Sequence, residues 1–458
     1  MNAHPPLFSR SAAKPPQAAL TRRGLLGLGV GAGGAVLLSG CGDDGPNPVV
    51  GGGQNAQPAA TSYDGPNVAL AFWNGFTGGD GAYMKKLVDQ FNTEHQNIKV
   101  TMNVYQWADY YQKVPAAVAT GNGPDLGIMH VDSVATNAAR GVVLPLDDVA
   151  KSLNLAEADF SPPVWQAGTY NNQRYAIPLD VHPLGLFYNK ALMEKAGLDP
   201  AKPPATNDEY MAALDKMKTA GIQGSWATPF QFTGSMWFQS LLWQFGGDLF
   251  DENAQTARFA EEPGVQALTW YVDLVKQGYS PKNVAQDADI VALRNGKNAF
   301  NWNGIWTINT LKEDAKLQWG AAPVPQIGTQ KAVWAGSHQF VQYKQRQKDD
   351  NKLTAGKVFM NWIGQQSLEW AKGGQVPARK EVRESAEFKA LPEQAALAQQ
   401  IDYVHYPPSV PGIGDAINTA NTAVNEAVLL RKPPAQALSD AATKANQILE
   451  QNRKKYGG

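Results

Sequence analysis

The chain has 458 residues, which at about 100–200 residues per domain means two or three domains with room for buried cores. Its 40 Lys+Arg against 41 Asp+Glu give a formal charge of −1, so no basic excess draws a phosphate backbone to the surface and nucleic acid is not an expected partner. The single Cys excludes a disulfide framework or a Cys-rich zinc module, while 13 Trp and 44 Gly are unusually many.

Residues 1–40 carry Arg10, Lys14, Arg22 and Arg23, no acid, and then a Gly- and Ala-rich apolar run to Leu37 and Leu38. That is the layout of an export signal. Arg22-Arg23 with Leu25-Leu26 behind it resembles a twin-arginine signal, and Leu38-Ser39-Gly40-Cys41 resembles a bacterial lipobox, in which Cys41 would be lipidated as the first mature residue. Removal of the signal takes away four cations and leaves 36 Lys+Arg against 41 Asp+Glu, a charge of −5. Residues 41–66, rich in Gly, Pro, Asn and Gln, bury too little apolar surface to offset their ordering entropy and are expected to be a flexible tether. Beyond the first 45 residues no stretch approaches the ~20 apolar residues needed to span a bilayer.

The folded part begins with Val68-Ala69-Leu70-Ala71-Phe72-Trp73, a short apolar run closed by Asn74-Gly75, which predicts a buried strand. Tyr83, Leu87 and Phe91 then recur at helical spacing after Asp80, a candidate N-cap. Residues 98–104 alternate as a second strand, a helix is expected near 108–120, and Pro124–Met129 predicts a third strand. This order implies a parallel sheet with right-handed crossovers. Longer helices are expected near 189–197, 206–220, 234–246, 263–277, 351–373, 412–430 and 434–452, with short strands at 184–188, 299–302, 319–324 and 339–341. The fold class is α/β with at least two sheets, and no repeat of 20–50 residues suggests a solenoid or propeller.

Several segments, in order, are similar to bacterial extracellular solute-binding proteins of the maltose-binding type, the receptors of ABC sugar importers. They are Phe72-Trp73-Asn74-Gly75-Phe76, Asp89-Gln90-Phe91-Asn92, Ala119–Asp125, Tyr175–Asp180, Leu186-Phe187-Tyr188-Asn189-Lys190, Asn303-Gly304-Ile305-Trp306 and Gly373–Arg379. The likeness spans about 67–455. It implies two discontinuous α/β lobes joined by hinge strands, with the ligand in the interlobe cleft. By analogy the chain crosses near Leu179–Asp180, near Pro323–Ile327 and near Val376–Arg379, giving one lobe of 67–178 plus 327–376 and another of 180–324 plus 380–455.

A sugar offers a mildly apolar ring face and a rim of hydroxyls, so its site needs flat aromatic surface beside donors and acceptors. Trp73 stands at the C-terminal end of the first strand, where open parallel sheets place ligands. The loop through Phe76 to Asp80 leads to a helix N-terminus, and its glycines do not form the dinucleotide pattern GxGxxG. His130 with Asp132, Asp180 with His182, and Ser337 with His338 fall at strand ends or hinges. On an extended segment, i and i+2 side chains share a face. The resemblance places cleft contacts at positions similar to Asp132, Asp180 and Trp306, and second-lobe contacts at Trp237, Asn303 and Gly304. Bidentate carboxylates and neutral imidazoles would hold hydroxyls, and Arg379 beside the third crossing could meet a ligand or a hinge partner. Trp243, Trp270, Trp362 and Trp370 sit at helical spacing with apolar residues and are expected in the core.

The resulting expectation is a binding protein without catalysis or cofactor, a monomer held to the outer face of the membrane by its lipid anchor. Its partners would be a di- or oligosaccharide and an ABC permease. Two alternatives are a receptor for a phosphorylated polyol such as glycerol phosphate, and an anchored glycoside-active enzyme using paired carboxylates such as Asp132 and Asp180. A metal site from His130, Asp132, Asp180, His182 and His338 has a plausible N/O donor set. It shows no recognised ligand spacing and leaves the aromatic wealth unexplained, so no metal is expected.

Overall fold

The computed structural model describes residues 62–230 and 233–457. The expected export signal, Cys41 and most of the tether lie outside the described residues. Near the tether's end Tyr63 is buried in an apolar cluster with Leu70, Phe72 and Phe91, and Asn97 donates to its carbonyl at 2.7 Å.

Strand β1 (Val68–Asn74) is followed by helix α1 (Gly79–Glu94), strand β2 (Ile98–Val104), helix α2 (Trp107–Ala119), strand β3 (Leu126–His130) and helix α3 (Val131–Ala139). The apolar face of α1, with Met84, Leu87, Val88 and Phe91, is buried as its spacing predicts, but the N-cap is Gly78 and Asp80 lies in the first turn. β1 runs parallel to β2 and to β3. The strand His338–Gln342 then joins β3 antiparallel and pairs with Ile177–Pro178, so the first sheet is mixed rather than wholly parallel. Helix Asp350–Gln365 covers it, with Phe359 edge-on to Phe72 at 5.2 Å between ring centroids. The single helix expected over 351–373 is two, because a break at Gln366 separates it from Ser367–Lys372.

The second sheet is built on one ten-residue strand, Asp180–Asn189, buried at every position. Val376–Pro377, Val333–Gly336, Phe300–Gly304 and Trp319–Ala322 all pair with it antiparallel. Both sides must be covered for such a strand to lose its alternation. Helices Gly234–Gln244, Glu262–Lys276, Ile413–Val428 and Pro434–Tyr456 supply the larger apolar cluster around it. The two sheets with their helices are the two lobes. The chain passes between the sheets at Leu179–Asp180, at Ser337 and ahead of Val376. Residues 333–336 still pair within the second sheet, so the middle passage falls at Ser337.

Phe72 is fully buried against Phe340 and Phe359. Phe72→Ala is expected to cost about 3–5 kcal/mol, read as a lowered urea midpoint with an unchanged m-value.

Candidate functional site

Asp180 opens the long strand where the chain leaves the first sheet, and its side chain is wholly buried. Its carboxylate accepts from His338 Nδ1 at 2.7 Å, the His338 backbone N–H at 3.0 Å, Trp370 Nε1 at 2.7 Å and His182 Nδ1 at 3.2 Å. Ser337 donates its hydroxyl to the Asp180 carbonyl at 2.6 Å, and Gln339 donates to the Ser337 oxygen at 2.8 Å. Burial alone would raise the carboxyl, but the His338 and His182 imidazoles hold it well below the usual carboxylate range. An ionised carboxylate only accepts, so both Nδ1 atoms carry their protons toward it.

Three imidazoles gather beside this group. His130 and His338 are directly opposed across β3 and the 338–342 strand, and His182 comes from the second sheet. Ring centroids are 4.4 Å apart for His182 and His338, 5.0 Å for His130 and His338, and 5.7 Å for His130 and His182. Burial, with the His338 charge next, lowers His182 to about 4. Burial, with His338 and His182, pushes His130 well below its ordinary value. His130 Nδ1 meets the Tyr111 hydroxyl at 2.8 Å.

Aromatic rings enclose the histidines from both lobes. Trp107 lies 4.3 Å from His130 and is stacked at 5.8 Å on His338. From the second lobe Trp306 and Trp334 stand 6.2 Å and 6.3 Å from His182. Trp107, Tyr111, His130, Trp306 and Trp334 are all half-buried, so each keeps surface for a guest. Phe76 is buried among Trp107, His338 and Trp370, as a floor rather than an open platform. Gly304 lets Trp306 fold back over the backbone, since a β-carbon there would fall 2.1 Å from the indole.

The structure thus brings together Phe76, His130, Asp180, His182, Trp306, Ser337 and His338. Asp80 is half-buried near them, with one carboxylate oxygen buried and unpaired. Its carboxyl is raised by burial, against His338, which lowers it. Other expected residues go elsewhere. Trp73 packs on Tyr105 at 4.9 Å within the first lobe. Asp132 lies in the first turn of α3 rather than on an extended segment with His130; it is exposed, yet burial of its carboxyl raises it and its charge is felt at the Tyr111 hydroxyl that meets His130. Trp237 is a core residue, 0% exposed, stacked on Trp302 with its N–H given to the Trp302 carbonyl at 2.7 Å. Asn303 is committed to Asp289 at 3.1 Å and to the Gly304 N–H. Arg379 donates to Asn361 at 2.9 Å, with Glu381 at 3.8 Å.

Trp107, Tyr111, Trp334 and Trp370 were not among the expected contacts. Trp107 and Tyr111 stand at i and i+4 on the helix that follows β2, and the strand-end rule that singled out Trp73 applies equally there. Trp370 is in the core as its spacing predicts, yet its N–H serves Asp180.

Residues 86–396 match the family model of bacterial extracellular solute-binding proteins. A binding protein of Brucella abortus (strain 2308) is 25% identical over 391 residues, covering 81% of this chain and 90% of that one. The sn-glycerol-3-phosphate-binding periplasmic protein of Shigella flexneri is 24% identical over 421 residues, covering 84% and 93%. Among solved structures, the cyclic alpha-maltosyl-1,6-maltose binding protein from Arthrobacter globiformis superposes with a TM-score of 0.73 at 23% identity, covering 84% of this chain and 100% of that one.

Two outcomes follow from the buried cluster. Asp180→Ala strands four donors and is expected to cost about 3–5 kcal/mol in chemical unfolding. His182, faced by Asp180, His338 and His130, is neutral when folded but ordinary when unfolded. Between pH 6.5 and about 4 the unfolded chain therefore binds a proton that the folded chain does not. Stability is expected to fall as pH drops through that window, by up to about 1.4 kcal/mol per pH unit from His182, with His130, also lowered by burial, adding in the same direction. His182→Gln should lessen that slope in unfolding curves taken with chelator present.

Proposed function

The chain belongs to the bacterial extracellular solute-binding proteins, and from that we propose that it captures a carbohydrate outside the membrane and passes it, chemically unchanged, to an ABC permease. The observation that carries this reading is the set of half-buried aromatic rings from both lobes, Trp107 and Tyr111 facing Trp306 and Trp334 around the histidines. Such rings suit the C–H faces of a sugar, while imidazole suits its hydroxyls. The Arthrobacter neighbour's cyclic maltosyl-maltose is a ligand of this class.

Two observations weigh on the alternatives. A glycoside-active pair needs accessible carboxylates, one of them with a raised pKa. Asp132 is exposed and its carboxyl is raised by burial, but Asp180 is buried, saturated with donors and held ionised, so it offers no free carboxylate to pair with Asp132. A phosphorylated polyol, the ligand class of the Shigella relative, needs cationic contacts, and Arg379 is engaged by Asn361 and Glu381.

Ligand would favour the closed form because its contacts to opposite lobes exist together only there. Contacts across the lobes away from the hinge support closure as the motion: Arg140 donates to the Tyr456 hydroxyl at 2.8 Å, and the Gly412 N–H to Thr136 at 2.9 Å. We assign the lobes as 67–178 plus the segment from Ser337 to about 376, and 180–336 plus 380–455, following strand pairing. The export signal, the Cys41 anchor and a monomeric state belong to the same reading and rest on the sequence.

A thermal-shift screen of mono-, di- and trisaccharides alongside glycerol phosphate tests it. A sugar at 100 Kd should stabilise by about 2.7 kcal/mol and be recovered intact, and Trp306→Ala should weaken its binding at least tenfold. Stabilisation by glycerol phosphate alone, or cleavage of the sugar, would overturn it.

A further inference from the structure

The three imidazoles are arranged for more than hydroxyls. One ring nitrogen from each of His130, His182 and His338 lies within 4.8 Å of one from each of the others. Nδ1 of His182 and of His338 is held by Asp180, and Nδ1 of His130 by Tyr111. Each ring therefore has Nε2 left for a ligand, and a metal ion would take it as the unprotonated nitrogen. The Nε2 of His182 stands in the space that a side chain at residue 336 would fill, 2.0 Å from where a β-carbon on Gly336 would be.

We propose that His130, His182 and His338 together bind one divalent transition-metal ion of the zinc class, with Asp180 and Tyr111 as the groups that orient the ligands. Imidazole is a preferred donor for zinc, copper and nickel, and a carboxylate holding the far nitrogen of a metal-bound imidazole is the usual support for such a site. Nitrogens on a tetrahedral zinc ion stand about 3.4 Å apart, so ring nitrogens within 4.8 Å of one another would draw together by up to about 1.4 Å on binding. Three protein ligands leave a coordination position for water or a solute oxygen. The inference rests on the geometry of the cluster and not on the sugar assignment, and the two fail separately.

The test uses the purified chain, stripped with chelator, dialysed and titrated with Zn²⁺ by calorimetry and with Co²⁺ by visible absorption. One Zn²⁺ per chain and tetrahedral-type Co²⁺ bands are expected. His130→Ala should weaken Zn²⁺ binding at least 100-fold, and Tyr111→Phe, which keeps all three ligands, about tenfold, with far-UV circular dichroism verifying that both variants are folded. Absence of stoichiometric uptake by the unsubstituted chain, or uptake that His130→Ala leaves unchanged, would overturn the proposal.

Discussion

A buried carboxylate that accepts four hydrogen bonds holds the three chain passages between the lobes in one place. Asp180 begins the second sheet's central strand, His338 begins the returning strand of the first, and Trp370 lies on the short helix before the last passage. Taking a carboxylate out of water costs several kcal/mol, and the interior repays it only when every lone pair finds a donor. Here two imidazoles, one indole and one backbone N–H do so. The Ser337 hydroxyl then ties the same segment through the backbone. A hinge made this way is specified by polar geometry rather than by bulk packing, so it can be rigid at its pivot while the lobes remain separate bodies of apolar core.

The same carboxylate fixes the chemistry on offer. By accepting from Nδ1 it sets the tautomer of His182 and His338, and by burial it is withdrawn from any guest. What stands around it are rings: the buried imidazoles of His182 and His338, the half-buried imidazole of His130 and the half-buried indoles of Trp107, Trp306 and Trp334. These come from the end of the first lobe's second strand, the end of a second-lobe strand, and the strand just before the middle passage. On the proposed reading, binding energy for a sugar and contact across the lobes would be the same interactions.

Much of this framework was legible in the residues. The order from β1 to β3 followed from apolar runs and helical spacing, and the long helices were located to within a few residues, because strong periodicity needs no tertiary information. Helix α3 was not, since Val131 continues the strand without a turn residue and the segment's Ser, Thr and Asn do not favour helix. That omission carried the pairing of His130 with Asp132 down with it. Trp237 went to the core for a different reason: the helix Gly234–Gln244 is buried on every side, so no face of it was marked as pointing to a ligand. The meeting of His130, His182 and His338 joins residues up to 208 positions apart in the chain, and only the pairing of strands reveals it.

The location of the cluster constrains what it can discriminate. In the closure proposed above, His182 and His338 stand with Asp180 at the pivot, where a hinge rotation would displace atoms least, so these bonds would persist in an open form. A ligand gains nothing toward closure from contacts that are equal in both states. His130, attached to α2 through Tyr111 rather than to Asp180, and Trp306, folded back over Gly304, stand farther out on opposite lobes. The preference for the closed form must therefore come from these outer groups, with the pivot histidines supplying a fixed acceptor surface from which the solute reaches across to them.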